Sequence, residues 1–345
     1  MINIKKNVVN VKHVKNEKKL KKTMKKLKAI LLIGIFLFLA ITIVIISQRN
    51  KDGSENRIIR LAVPEILGAG APFFVVDELN LLDKYIENAK IKFVAVDHGP
   101  GLNEGIVAGR LDGGSINITN FLIGIDKGVP YKLASSVGYG SNTFVTNNPD
   151  INTFADITKK DKIAVPGLAG TSILLLRLAA QKYFDRHDAL DEQIIVMGAD
   201  EALFALINKS GGITVTTIDI VSRGTIDESG CCKTLLNDRD LFEEELMQGY
   251  LVLSEGFYNK QRELTQALLQ ALEEAIDMIN NKDEKAIQII SKRYKIDKED
   301  FIRYLDNGEY KFAIDSYVSL DAFSDIALKS GIISSKKTFD EMVFN

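Results

Sequence analysis

The chain has 345 residues, 46% of them hydrophobic and 26% charged, enough for two domains of ordinary size. Its formal net charge of −2 hides an asymmetry: residues 1–28 hold eleven lysines against one acid, while the rest holds 33 bases against 45 acids, a net of −12. A basic tail on an acidic body excludes a nucleic-acid-binding domain, which carries its positive charge on the folded surface. His13, His98 and His187 stand far apart without ligand spacing, so no metal site is expected, and no motif calls for a cofactor. Cys231 and Cys232 are neighbours in sequence. Adjacent Cα atoms lie about 3.8 Å apart, below the usual separation of a disulfide, so two free thiols are expected.

Lysines crowd from Lys5 to Lys28, and the charge then stops. Ala29 to Ser47 is nineteen residues without a charge, just long enough as a helix to cross a hydrocarbon core. The lysine block predicts that residues 1–28 stay in the cytoplasm and that the chain beyond Ser47 lies outside. Ile45 and Ile46 occupy positions where a cleavage site needs small residues, and no cysteine is nearby for lipid attachment. An uncleaved signal-anchor is therefore expected, followed by a polar tether over 48–57.

From Ile58 onward strands alternate with helical patterns, which indicates an α/β architecture with a mainly parallel sheet. Ile58–Val63 reads as a strand, Glu65–Pro72 as a Gly-rich loop, and Phe73–Ile86 as a helix. Ile91–Val96 is a strand, followed by the loop DHGPG and a helical stretch to Ala108. GRLDGGSINIT supplies a strand, Asn120–Lys127 a helix, and Tyr131–Val137 a strand that runs into GYGSN, with a further strand over Thr143–Val145. In such sheets ligands bind beyond the carboxyl ends of the strands. Those ends carry EILGAGAPF, GGSINIT and SVGYGSN, all small and polar, and better suited to cradling a ligand than to acid–base chemistry.

A second unit begins near residue 147. Lys162–Val165 reads as a buried strand, broken by Pro166, Gly167 and Gly170. Thr171 or Ser172 can cap the helix that follows through Phe184. Such a strand–loop–helix junction aims free N–H groups and a partial positive charge at whatever lies in front, although the same residues also make an ordinary βα turn. Gln193–Met197 and Ile213–Ile220 read as strands on either side of the helix EALFALINKS, and a short strand is expected over Cys231–Leu236. After a returning strand at Leu251–Ser254, Leu264, Leu268, Leu272, Ala275 and Ile279 recur at helical spacing within Arg262–Asn280. Shorter charged helices complete the chain.

Four segments together resemble the substrate-binding proteins of ABC importers of the nitrate, sulfonate, taurine and thiamine-pyrimidine-precursor type. These are AGRLDGGSINIT, FLIGIDKGVPYKLASSVGYGSNTFVTNNPDINTFADI, KIAVPGLAGTSILLLRLAAQK and LTQALLQALEEAIDMINNKDEKAIQIISK. The resemblance covers nearly everything after Ile58. TIDIVSRG departs from it, lacking the aromatic–acidic–Pro segment usual after that strand, and so does the expected membrane anchor. The resemblance implies a two-lobed periplasmic-binding-protein-like (Venus-flytrap) α/β fold, with 58–146 plus 248–345 as one lobe and 147–247 as the other. It implies no enzymatic activity, a small anionic or polar organic ligand, and a membrane permease with its ATPase as partners. Ligand contacts are expected from Gly70, Ala71, Phe73, Gly114, Ser115, Gly138, Tyr139, Gly170, Thr171 and Ser172. The alternatives are an enzyme on the same fold, of the pyrimidine-precursor or menaquinone-pathway type with His98 as its candidate residue, and a membrane-tethered sensory domain.

Overall fold

The computed structural model describes residues 57–345, apart from residues 97, 169, 220–221, 242–246, 248, 318–319 and 345 and the side chain of residue 98. The predicted tail and membrane-spanning run therefore lie outside the described residues, among which no helix is long and apolar enough to cross a membrane.

The chain opens with β1 (Arg57–Ala62), α1 (Leu67–Glu78), β2 (Ala89–Phe93), α2 (His98–Val107), β3 (Gly113–Asn117), α3 (Ile118–Asp126) and β4 (Tyr131–Gly140). It continues with β5 (Asn142–Thr146), β6 (Lys162–Val165), α4 (Thr171–Phe184), β7 (Ile194–Val196), α5 (Ala199–Ile207), β8 (Ile213–Asp219), α6 (Arg223–Ser229) and β9 (Lys233–Asn237). The last stretch is β10 (Gly249–Ser254), α7 (Glu255–Lys260), α8 (Arg262–Asn280), α9 (Glu284–Tyr294), α10 (Lys298–Asp306), β11 (Tyr310–Phe312), α11 (Leu320–Lys329) and α12 (Phe339–Met342).

These strands form two sheets, a six-stranded one in the order β11-β4-β10-β3-β1-β2 and a five-stranded one in the order β7-β6-β8-β5-β9. β1 pairs in parallel with β2 and β3, and β6 with β7 and β8, whereas β10 and β5 run antiparallel to both of their neighbours. β6, paired in parallel on both sides, buries Ile163, Ala164 and Val165, as expected of a strand with both faces covered. The stripe predicted in Arg262–Asn280 packs on the first sheet: Leu264, Leu268, Leu272, Ala275 and Ile279 are all buried in the core that also holds Phe73 and Val75 of α1.

The chain passes from the first sheet to the second at Ser141, the single residue between β4 and β5. The crossing thus falls ahead of the expected boundary after residue 146, because β5 belongs to the second sheet. The chain returns after β9. At this junction the buried Asp238 accepts hydrogen bonds from the Tyr139 hydroxyl (2.7 Å) and from the backbone N–H of Asn142 (3.0 Å).

Four local expectations are corrected. The Gly-rich stretch expected as a loop over Glu65–Pro72 is mostly the first part of α1. Its small residues permit close packing: a Cβ on Gly68 would lie 3.0 Å from Gly140 N, and one on Gly70 would lie 2.4 Å from the Pro64 carbonyl oxygen. Pro72 lacks the N–H that would bond the Gly68 carbonyl, and that oxygen instead abuts Gly138, lying 2.2 Å from where a Cβ there would stand. The run GYGSN continues β4 into β5 as extended chain. Gly170, with φ −95° and ψ 174°, is the N-cap of α4, so Thr171 is the first helical residue and neither Thr171 nor Ser172 caps. Finally, Cys231 and Cys232 are bonded to each other across a Cα separation of 3.7 Å. Both pack on the apolar cluster beneath α5 and α6, where backbone spacing alone predicted free thiols.

Candidate functional site

A cleft of about 730 Å³ opens beyond the carboxyl ends of β1, β2 and β3, the position where open α/β sheets bind ligands. Its floor comes from the first sheet and its helices: Ala62 through Ala69, Phe93 through Val96, Leu102, and Ser115 through Asn117. Asn142, Thr171 and Asp219 reach it from the second sheet and α4, and Arg293, Tyr294 and Tyr310 from the C-terminal part of the chain. Residues distant in sequence converge because the two sheets share the crossing at Ser141.

Of the residues expected to contact a ligand, Ser115, Gly138 and Thr171 line the cleft. Ser115 is also held in place, donating its hydroxyl hydrogen to the Ala69 carbonyl at 2.7 Å. Several of the others sit behind this lining. Ala71 and Phe73 are fully buried in the core on the inward face of α1. Gly70 lies under Pro64 and the Tyr294 hydroxyl, and Gly114 lies against the Ala62 carbonyl. Tyr139 is buried and donates to Asp238. Gly170 stands at the N-cap of α4, and the Ser172 hydroxyl oxygen accepts from Thr217 Oγ1 at 3.1 Å. The side chain of His98 is outside the described residues; its backbone begins α2, so DHGPG is not wholly a loop.

Two helices begin at the cleft without a side-chain cap, α1 after Ile66 and α4 after Gly170. Their first N–H groups have no partner within the helix. α3, by contrast, is closed by the Asn117 side chain, which accepts from Asn120 N at 2.9 Å.

Part of the lining is aromatic. Phe74 and Phe93 pack with ring centroids 5.2 Å apart, and the Arg293 guanidinium lies over Phe74 at 3.4 Å from its centroid. Arg293 is clamped there by Glu65, with Nη2–Oε1 at 2.6 Å and Nε–Oε2 at 3.1 Å. Neighbouring Tyr294 has a buried hydroxyl without a hydrogen-bond partner. Burial, followed by the charge of Glu65, pushes its pKa well above the ordinary tyrosine value, so it stays a neutral phenol. Burial does the same to Tyr310, with Asp219 the next contributor.

The sequence reading missed Arg293, Tyr294 and Tyr310, which sit in segments that look like solvated helices and their connections. It missed Asp219 despite a usable signal, since Asp219 ends a strand of the second sheet. Among the described residues no group of His, Cys, Asp and Glu side chains is placed to hold a metal ion.

No protein-family model matches the sequence, and no curated protein sequence matches it. Solved structures do. The chain is similar to the periplasmic aliphatic sulphonate binding protein SsuA from Escherichia coli, with a TM-score of 0.69 at 18% identity over 84% of this chain and 92% of that one. It is similar to the zinc-bound ligand binding component of an ABC-type import system from Staphylococcus aureus, with a TM-score of 0.67 at 17% identity over 84% and 96%. The periplasmic nitrate-binding protein NrtA from Synechocystis PCC 6803 matches with a TM-score of 0.61 at 18% identity over 83% and 84%. With its two sheets and the crevice they border, this chain has the fold of the periplasmic ligand-binding proteins.

Proposed function

We propose that this chain is the extracytoplasmic solute-binding component of an ATP-driven importer, capturing a small polar organic molecule and delivering it to a membrane permease. The observation that carries this reading is the cleft itself, roofed by elements of both sheets and floored by the carboxyl ends of parallel strands. The two sheets are the cores of two lobes, and closure is favoured by whatever extra contacts the solute makes in the closed state. The uncapped starts of α1 and α4 grip an acceptor or anionic group of the solute, and Phe74 and Phe93 pack on its body. The apolar run 29–47 tethers the binding part to the outer face of the membrane.

A thermal-shift screen of the full chain in detergent tests the binding role. A true solute at a hundredfold excess over its Kd adds about 2.7 kcal/mol of apparent stability. A broad set of organic anions, zwitterions and heterocycles, none of which stabilises the protein, overturns the reading. Protease added to intact cells is expected to digest the part after Ser47, and protection of that part overturns the orientation.

A further inference from the structure

Among the described residues lining the cleft, only Glu65, Arg293 and Asp219 are acidic or basic. Glu65 and Arg293 neutralise each other through two hydrogen bonds, and the guanidinium face is covered by Phe74. Asp219 remains. One of its oxygens, Oδ1, accepts the Ser222 N–H at 2.9 Å, which fixes the carboxylate where β8 ends, and no Lys or Arg among the described residues pairs with it. Tyr310, and through it Tyr294, stands close by. Neutral phenols beside a carboxylate offer hydrogen bonds and aromatic surface but no compensating charge.

An anionic group placed here meets like charge, while a protonated nitrogen removes the imbalance. The acidic body, with its net of −12 outside residues 1–28, also attracts cations from a distance.

We propose that Asp219 is the specificity-determining residue of the cleft and that the solute it selects carries a protonated amine. This rests on the solute-binding reading and adds to it the second pole of the ligand: an acceptor end at the starts of α1 and α4, and an ammonium end at Asp219. Selection is then for an aminated molecule over one of the same shape without the nitrogen, because closure over the solute shuts water away from the Asp219 carboxylate and leaves it unpaired unless the solute supplies the partner.

The test uses the full chain in detergent and three probes with one shared body: benzylamine, benzyl alcohol and benzenesulfonate. Calorimetric titration is expected to give the tightest binding for benzylamine. Asp219→Asn is expected to weaken that binding at least tenfold while leaving the unfolding midpoint of the free protein in place. Asp277→Asn, on the outer face of α8, is expected to change neither. Benzylamine binding that is equal in wild type and Asp219→Asn overturns the proposal. So does a preference for benzenesulfonate; if that binding is lost on Thr171→Pro, the cleft remains a solute site and only the role of Asp219 falls. Absence of binding by all three probes overturns the amine class, and the broad screen described above then decides the solute-binding reading separately.

Discussion

The Tyr139 hydroxyl donates to Asp238 Oδ1 at 2.7 Å, joining the strand that leaves the first sheet to the segment that leaves the second. Both residues are buried, and the same carboxylate also accepts from Asn142 N. The two crossings between sheets are thus held by one side chain. Tyr139→Phe keeps the ring and removes one donor from a buried acceptor, and is expected to cost about 1 to 3 kcal/mol. Urea unfolding with an unchanged slope and a lower midpoint checks this; an unchanged midpoint shows that the contact does not brace the junction.

Gly114 and Gly170 were both expected at the ligand, and their surroundings separate them. A Cβ on Gly114 would stand 2.2 Å from the Ala62 carbonyl oxygen, whereas one on Gly170 meets nothing within 4 Å. Backbone cannot yield as a flexible side chain can. Gly114→Ala is therefore expected to part β1 from β3 and cost about 1 to 3 kcal/mol. Gly170→Ala is expected to cost under about 1 kcal/mol, the difference between these residues at an N-cap. Equal midpoints for the two variants in denaturant melts contradict this.

Thr171 is the first residue of α4, a position where proline is tolerated because its N–H has no helical partner. Thr171→Pro is expected to retain the circular dichroism and melting temperature of the wild type within a few degrees. It also removes a hydroxyl and an N–H from the cleft, so solute affinity is expected to fall at least tenfold. Wild-type affinity in this variant excludes the start of α4 from the binding site.

Two carboxylates predict how stability depends on pH. Burial alone would raise Asp161, but hydrogen bonds from the backbone and hydroxyl of Thr158 and from Asn148 outweigh it and hold the group below the ordinary range. Burial would likewise raise Asp126, yet Lys337, at 2.9 Å, and Ser334 keep it low. A carboxyl lowered in the folded state binds fewer protons there than in the unfolded chain. Its stabilisation is complete above the unfolded value, about 4, and is lost as pH falls through the folded value. Unfolding midpoints are expected to drop steeply below pH 4, and Asp161→Asn and Asp126→Asn are each expected to flatten that drop while lowering stability at pH 7. A slope identical to wild type in both variants contradicts the assignment.

Much of the architecture was legible along the chain. The strand–helix alternation, the buried strand Lys162–Val165 and the helix Arg262–Asn280 follow from hydrophobic period, which is local and survives folding. Of the residues named from the loops at the strand ends, Ser115, Gly138 and Thr171 line the cleft. Small residues were ambiguous for a physical reason: glycine serves a turn, a close backbone approach or a ligand equally well, and only the neighbour decides. Gly68 and Gly70 proved to be contact points within a helix.

Of the stretch with which α4 begins, the sequence determined that strand, break and helix follow one another and that free N–H groups face outward. Tertiary structure decided what they face. It brought Arg293 onto Glu65 across 228 residues of chain, spent the one basic side chain of the described lining on that pair, and left Asp219 alone in the cleft. Charge composition is additive along a sequence, but the charge felt by a ligand depends on which groups are already paired, and pairing is a property of distance in space.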